Sequence, residues 1–466
     1  MKRDEVNRSE LSPMMLQYLE IKDKYPDTLL FYRIGDFYEL FFEDADVASR
    51  ELELTLTGKN AGLKERVPMC GVPHHAAKVY VEKLIDKGFK VAICEQLEDP
   101  RFAKGMVKRD VTEVITKGTM VDLEFLNERD FNYIGGLLDY NYIYLLTYLD
   151  ISTGEVNSVY LSHNEDTLIN ELLNLNIKEL VIKNDFPIET LNTIKNQYGI
   201  NISISDNVLE DTYASIYEGI EDERITYGIK HILYYLHIGE LKDLSHLNHV
   251  NIIESDNYLS MDVHTVRNLE LVETLRLKER KYSLIWLLDK TKTAMGARTL
   301  KNYLLNPLKD INEINKRYDY IESLNNNFML RDELRNDLYN VYDLERLCGK
   351  VSCGSLNARD VLQIKNSISV IPDINRILSE LKYNIKIDNH EDLYKLLESA
   401  IYEDPPITIK EGYLIKDGYN KELDELKSIR SGGKDFIASI EESAKKETEL
   451  IIYMLATIRY LATLLK

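Results

Sequence analysis

At Met261 the hydrophobic pattern of this chain changes period, and that change limits its fold more than any other feature. Before it, short β-branched and aromatic runs alternate with helical stretches. "DTLLFYRIG" reads as a strand stopped by glycine, "DFYELFFEDADVASREL" as a helix, "KVYVEKLIDKGF" as a helix ending at Gly88, and "KVAICEQL" as a returning strand. Pro68, Pro73 and Pro100 punctuate loops. Residues 130–256 repeat the alternation. There "NYIYLLTYLDISTGEVNSVYL" reads as two strands joined at "STGE", "DTLINELLNLN" as a helix, and "KELVIKN" and "GINISIS" as strands. After Met261 the apolar spacing is about 3.6 residues and strand signals nearly vanish. "VRNLELVETLR", "SLIWLLDK", "ARTLKNYLLN", "INEINKRYDYIESLNNN" and "LNARDVLQIKNSISVI" are successive helices, with breaks at Pro307 and Pro372. "YNKELDELKSIRSGGKDFIASIEESAKKETEL" reads as two long helical stretches around "SGG". The pattern predicts an α/β plus α chain: α/β domains at 1–122 and 128–256, an all-helical domain at 260–448, and a separate tail at 449–466. A chain of 466 residues exceeds what one core organises, which agrees with that division.

Charge narrows the function classes less than its total suggests. The net charge of −20 argues against wrapping nucleic acid. It is uneven, however: residues 58–118 hold 12 Lys+Arg against 8 Asp+Glu. A nucleic-acid module near the N-terminus is therefore compatible with the composition. Cys70, Cys94, Cys348 and Cys353 are scattered without a CxxC pair, which predicts reduced thiols, a cytoplasmic setting and no zinc site. His74 and His75 have no third ligand nearby in sequence and read as loop polar residues. The Gly-Lys pairs at 58–59, 349–350 and 433–434 are not followed by Ser or Thr, so no phosphate loop is present, and neither HExxH nor GxSxG occurs. The start, "MKRDEVNRSELSPMM", has no apolar run and reads as lacking a secretory signal.

The stretch "RIGDFYELFFEDA", residues 33–45, admits two readings. In the first, Asp36 caps a helix and Glu39 sits three residues on, at capping-box spacing. Phe37, Leu40 and Phe41 then form an i, i+3, i+4 face in the core. In the second, Phe37 projects outward as an aromatic wedge. Such wedges enter the minor groove, unstack a base step and kink the duplex. Unstacking costs least where pairing is already faulty, so a wedge converts weak stacking into selectivity. A carboxylate two residues on can accept a hydrogen bond from a base edge, while near phosphates it penalises generic duplex. By pattern alone both readings stay open.

"LLFYRIGDFYELFFEDA" resembles the signature of the MutS family, the DNA mismatch-recognition proteins. The likeness continues in "SPMMLQYLEIK", "VPMCGVPHHA", "VAICEQLEDP", "VTEVITKGT", "YLDISTGE", "MDVHTVRNLEL", "TAMGARTLKNYLLNPL", "DLERL" and "GYNKELDEL", over about residues 10–448 in family order. The resemblance implies a mismatch-recognition domain, a ribonuclease H-like connector and a truncated helical core or lever. It implies that Phe37 is the stacking wedge and Glu39 the base-contacting carboxylate, both matching the family's Phe-x-Glu. Met69 in "VPMCGVP" is then a candidate groove contact beside the wedge, against a buried loop methionine. Lys59, Arg66, Lys104, Lys108 and Arg109 are candidate phosphate contacts, against solvated surface charges. Asp150 in "YLDISTGE" invites a nuclease reading, but one carboxylate does not hold two metals and a structural role is expected.

The family's partners are double-stranded DNA with mispairs or small loops, a second copy of the chain, and a MutL-like protein. Its cofactors, ATP and Mg, belong to a C-terminal dimerising ATPase that is not found in this sequence. Nor are the clamp and the returning half of the lever. The expectation is a mismatch reader without catalysis or cofactor of its own, with dimer contacts mostly missing and weak DNA affinity, since phosphate contacts supply most of that affinity. Where the family continues with T-G-I-x-x-L-x-V-G-Y-N-x-V-F-G-Y-x-I-E, this chain reads "TELIIYMLATIRYLATLLK". Back-translated with free wobble bases and one added G, the tail regroups to G-I-N-N-L-Y-V-G-Y-N-K-V-F-G-Y-F-I-E. Residues 449–466 are therefore expected to be out of frame. The alternatives are a divergent nuclease, or a helical scaffold or tail-anchored protein. The apolar tail, with Arg459 inside it, is shorter than the roughly 20 residues a membrane span needs, so no membrane partner is expected.

Overall fold

A computed structural model describes residues 2–98, 105–121, 126–254, 257–406 and 411–447. The first α/β part opens with α1 (Pro13–Lys24), followed by β1 (Thr28–Ile34), β2 (Phe37–Phe41), α2 (Phe42–Leu52), β3 (Thr57–Lys59), β4 (Val67–Pro73), α3 (Ala77–Asp86), β5 (Lys90–Gln96) and β6 (Arg109–Ile115). Its sheet has the order β3-β4-β2-β1-β5-β6, with β1 and β5 parallel and every other pair antiparallel. Alternation along the strands divides the core into two layers. Tyr32, Phe41, Val67 and Cys94 pack with Tyr18 and Leu19 of α1 on one face. Phe31, Tyr38, Leu40, Cys70 and Val91 pack with Ala45, Ala48 and Leu84 on the other.

The helix expected from Asp36 is corrected here. Residues 37–41 form strand β2, and the helix starts only at Phe42. The pairs Ile34↔Phe37 and Tyr32↔Glu39 leave a two-residue hairpin loop, Gly35-Asp36, with Gly35 at φ 58°. Glycine at the first loop position in positive φ is what a two-residue hairpin requires. The strand prevails because β2 lies between β1 and β4, whose ladders it completes. A helix there would leave two buried strand edges unpaired. The capping box and the Phe37-Leu40-Phe41 face therefore do not form. Pro68 and Pro73, read as loop residues, lie in β4.

The second sheet is built from β7 (Ile134–Asp139), β8 (Ile143–Asp150), β9 (Glu155–Ser162), β10 (Glu179–Ile182), β11 (Asn201–Ile204) and β12 (Asn251–Ile253), in the order β11-β10-β7-β8-β9-β12. β7, β8 and β9 are antiparallel, and the outer pairings are parallel. Helices α4 (Glu165–Asn174) and α5 (Ile188–Tyr198) supply Leu168, Leu172 and Ile194 to one core layer. Helix α6 (Glu223–Tyr234) supplies Ile225, Ile229 and Ile232 to the other.

The helical part comprises α7 (Val263–Asn268), α8 (Leu284–Leu288), α9 (Ala294–Leu305), α10 (Ile311–Asn326), α11 (Phe328–Tyr339), α12 (Leu344–Ser352), α13 (Ala358–Ser369), α14 (Ile371–Glu380), α15 (Glu391–Ala400) and α16 (Lys421–Glu447). Two buried arginines tie it to the segment before β7. Arg298 grips Asp343 at 2.7 and 2.8 Å and donates to the Glu128 carbonyl at 2.9 Å. Arg346 donates to the carbonyls of Asn127 and Asp130 at 3.1 and 2.6 Å. The expected helix "VRNLELVETLR" is shorter than read: α7 ends at Asn268, and Glu270 turns left-handed at φ 49°. The expected break at "SGG" is absent, since α16 runs unbroken for 27 residues and neither Gly432 nor Gly433 takes positive φ. Each glycine costs roughly 1 kcal/mol relative to alanine, which weakens a helix of that length without ending it.

Two compact units result. One contains residues 1–356 and 370–387, hence both sheets and α14. The other contains 357–369 and the described residues from Asp388 on, where Lys365 pairs with Glu398 at 2.6 Å. The expectation for 449–466 lies outside the described residues.

Candidate nucleic-acid interface

Period-2 alternation puts Phe37, Glu39 and Phe41 on one face of β2 and Tyr38 and Leu40 on the other. Phe41 lies under α1 and is fully buried, whereas Phe37, beside the hairpin loop, is 48% exposed. The loop is laced down around it. The His74 amide donates to the Asp36 carbonyl at 2.8 Å, and Arg33 Nε to the Gly35 carbonyl at 2.5 Å. Beneath the loop the Tyr38 hydroxyl donates to Glu95, the Arg33 guanidinium lies 5.4 Å from the Tyr38 ring, and Arg33 Nη1 is 3.7 Å from Glu95. Burial, reinforced by the Glu95 carboxylate, pushes the Tyr38 hydroxyl pKa up, so it stays a donor. An exposed aromatic at a strand end beside a loop held this way keeps its direction and loses little freedom when it binds.

Glu39 pairs across the strands with Tyr32 and with Gly71, and its side chain is 17% exposed. Lys59, from the edge strand β3, reaches over the Phe41 ring (Nζ 5.4 Å from its centroid) to place Nζ 2.5 Å from Glu39 Oε2. Met69 is half-buried in strand β4, not a loop, opposite Phe41 and Thr57. Phe37, Glu39, Lys59 and Met69 thus share one sheet face. Arg66 is exposed immediately before β4, and Gly58 makes room for it: a Cβ on Gly58 would lie 2.8 Å from Arg66 Cβ.

The remaining cations fall at the opposite sheet edge. Lys108 is exposed, its amide donating to Glu98 at 2.8 Å. Arg109 donates to the Arg33 carbonyl at 2.8 Å and to Val107 O at 3.1 Å, with its guanidinium 5.1 Å from the Tyr32 ring. Lys104 lies outside the described residues. The sequence reading missed Arg33, Tyr38 and Glu95, and took His74 only as a loop polar residue. Their partnership spans 57 residues between Tyr38 and Glu95 and leaves no local signal.

Other titratable groups are occupied elsewhere. Asp150 is fully buried. Its oxygens accept from the Asn132 amide at 2.8 Å, the Ser152 amide at 2.8 Å and the Ser152 hydroxyl at 2.6 Å. His74 Nε2 lies 3.9 Å from Glu95. Among the described residues no group of three or more His, Cys, Asp or Glu is placed to hold a metal ion, and no helix is long and apolar enough to cross a membrane. All four cysteines are unpaired, and burial pushes the Cys70 and Cys94 thiols up to about 12.

An exposed aromatic and a carboxylate on one face of a rigid hairpin, beside lysine and arginine, define a candidate base-reading surface. Comparison with known proteins assigns the family. Residues 12–124 match the family model of MutS domain I, and residues 264–464 that of MutS domain III. The chain is similar to the DNA mismatch repair protein MutS of Bacillus subtilis (strain 168), 43% identical over 443 residues covering 94% of this chain and 51% of the relative. It is 44% identical to that of Clostridium novyi (strain NT) and 44% to that of Geobacillus thermodenitrificans (strain NG80-2), each over 94% of this chain and 50% and 49% of the relative. The chain belongs to the MutS family. It spans about half the length of the curated relatives it matches.

Proposed function

We propose that this chain reads mispaired or unpaired bases in double-stranded DNA, with Phe37 as the wedge and Glu39 as the base-contacting carboxylate. The observation that carries the reading is the 48% exposure of Phe37 at the head of β2, within the stretch matched to MutS domain I. Phe37 stays outside the core that buries Phe31, Phe41 and Phe42, which leaves its ring accessible to a base. Met69 extends the apolar surface beside it. Arg66, Lys104, Lys108 and Arg109 are proposed to follow the backbone, while Lys59 is engaged with Glu39; of the described ones, Arg66 and Lys108 are exposed to do so. The divisions at 1–122, 128–256 and 260–448 are proposed as mismatch-reading, connector and lever domains. A cytoplasmic location, pairing with a second copy and recruitment of a MutL-like protein are proposed for the longer protein of the family, as is its ATP chemistry. The out-of-frame origin of 449–466 is likewise a proposal, which the gene's nucleotide sequence decides.

The test is anisotropy titration of the full chain with a labelled duplex carrying a single mispair or one unpaired base, against the matched duplex. A preference for the faulty duplex is expected, and Phe37→Ala should remove most of it. Base–aromatic stacking is worth about 1–3 kcal/mol, so the loss is about tenfold in affinity for the faulty duplex. Equal binding of both duplexes by the unmodified chain would end this reading.

A further inference from the structure

Glu39 presents an electrostatic difficulty for any surface that meets DNA. A bare carboxylate beside a phosphate backbone is repelled, and this one lies next to the only exposed aromatic of its strand. The structure supplies a partner from another strand. Lys59 Nζ takes Oε2 at 2.5 Å, and among the described residues no donor takes Oε1. Oε1 is not among the buried oxygens left without a partner, so it is accessible to solvent. The pair is sheltered without being enclosed, with side-chain exposures of 28% for Lys59 and 17% for Glu39.

The sheet is arranged to allow this contact. Between β3 and β2 runs β4, and the residue opposite Glu39 there is Gly71. A Cβ on Gly71 would sit 3.1 Å from the Tyr38 carbonyl and 3.5 Å from Glu39 Cγ. The missing side chain leaves Glu39 room beside β4, and the lysine arrives from the far side over Phe41. Among the described residues Lys59 Nζ makes no other hydrogen bond to protein, so its remaining N–H donors stay available.

From this geometry we propose that Lys59 is a positioning residue that sets discrimination, acting through Glu39 and not chiefly through phosphate. Its ammonium fixes one carboxylate oxygen, aims the other at the base edge exposed by the wedge, and cancels the charge that would otherwise repel the backbone. The proposal rests on the reading of Phe37 and Glu39 given above. It differs from a simple phosphate contact in one measurable respect. A phosphate-binding lysine strengthens matched and faulty duplex alike and contributes about one ion to the salt slope. A lysine that orients Glu39 changes the ratio between the two duplexes, and does so only while Glu39 is a carboxylate.

The experiment is a double-mutant cycle on the full chain, using the matched duplex and the same duplex with one unpaired base, over a range of salt concentrations. Lys59→Met should lower the faulty-to-matched affinity ratio about tenfold, the scale of a charge-assisted hydrogen bond. In a Glu39→Gln background the same substitution should leave the ratio unchanged within about twofold. Lys59→Arg should restore most of the ratio, which a fold defect would not permit, and thermal melting checks each variant. Equal loss on both duplexes with a shallower salt slope, additive with Glu39→Gln, would overturn the proposal and make Lys59 a phosphate contact. Phe37→Ala separates the layers. If it leaves the ratio intact, the wedge reading fails; if it abolishes the ratio while Lys59 and Glu39 act independently, only the present inference fails.

Discussion

Two hairpins of this molecule carry carboxylates of similar promise in sequence and opposite fate in structure. In the second sheet, β8 turns into β9 at "DISTGE", and Asp150 is buried with three donors on its two oxygens. In the first sheet, β1 turns into β2 at "IGDF". Two residues beyond, Glu39 holds one lysine and keeps one oxygen open beside an exposed phenylalanine. The first carboxylate is consumed by its own fold, as buried polar groups must be. The second stops short of full satisfaction at the surface, and there a ligand has something to gain. Exposure and an incomplete hydrogen-bond set distinguish the candidate site from the structural one, although both residues sit at hairpins.

The comparison can be broken at either hairpin. The largest effect is expected at Asp150. Asp150→Ala strands the Asn132 and Ser152 amides and should cost about 3 kcal/mol in urea unfolding, with no change in the ratio of faulty to matched duplex bound by the chain that remains folded. Phe37→Ala should do the reverse, losing about tenfold in affinity for the faulty duplex while moving the unfolding midpoint little, because the ring is half in solvent already. A change in stability on the Phe37 side, or in discrimination on the Asp150 side, would dissolve the distinction.

A third carboxylate sharpens it. Glu240 is buried like Asp150, but its Oε2 has no hydrogen-bond partner. Burial first, then the nearby Glu179 carboxylate, push its pKa up to about 7 against the pull of Lys90 and Lys242. The folded value therefore lies above the unfolded one. The stabilising contribution of the protonated form is present in full below the unfolded carboxylate range and is lost as pH rises through about 7. Glu240→Gln should be more stable than the unmodified chain at pH 8, by an amount on the order of 1 kcal/mol, and the advantage should shrink toward pH 5. Denaturant midpoints at the two pH values measure it. The smallest effect is expected at Gly35, which has φ 58° and where an added Cβ would meet nothing within 4 Å. Gly35→Ala should cost about 1 kcal/mol from backbone strain alone and blunt Phe37 only in proportion.

Much of the fold was legible. The strands around "LLFYRI", "KVAICEQ" and "IYLLTYLD" are where their β-branched and aromatic content places them, and the change to helices after Met261 holds throughout the described residues. The site was legible as a motif and misread as a local structure. "DFYELFF" satisfies helical spacing and strand alternation equally well over so few residues. The Gly-Asp pair between two aromatic runs was the available hairpin signal.

By itself the sequence determined the division into two α/β parts and a helical part, the glycine that permits the Gly35 turn, and the Phe-x-Glu pairing, because periodicity, backbone freedom and residue order are local properties. Only the tertiary structure decided that residues 37–41 are a strand, that Phe37 faces outward, and that Lys59 rather than a nearer cation holds Glu39. Those follow from the order β3-β4-β2-β1, in which residues 20 positions apart in the chain become neighbours across a glycine. Long-range strand pairing chooses such partners by register and burial, and neither is encoded in any short window of sequence.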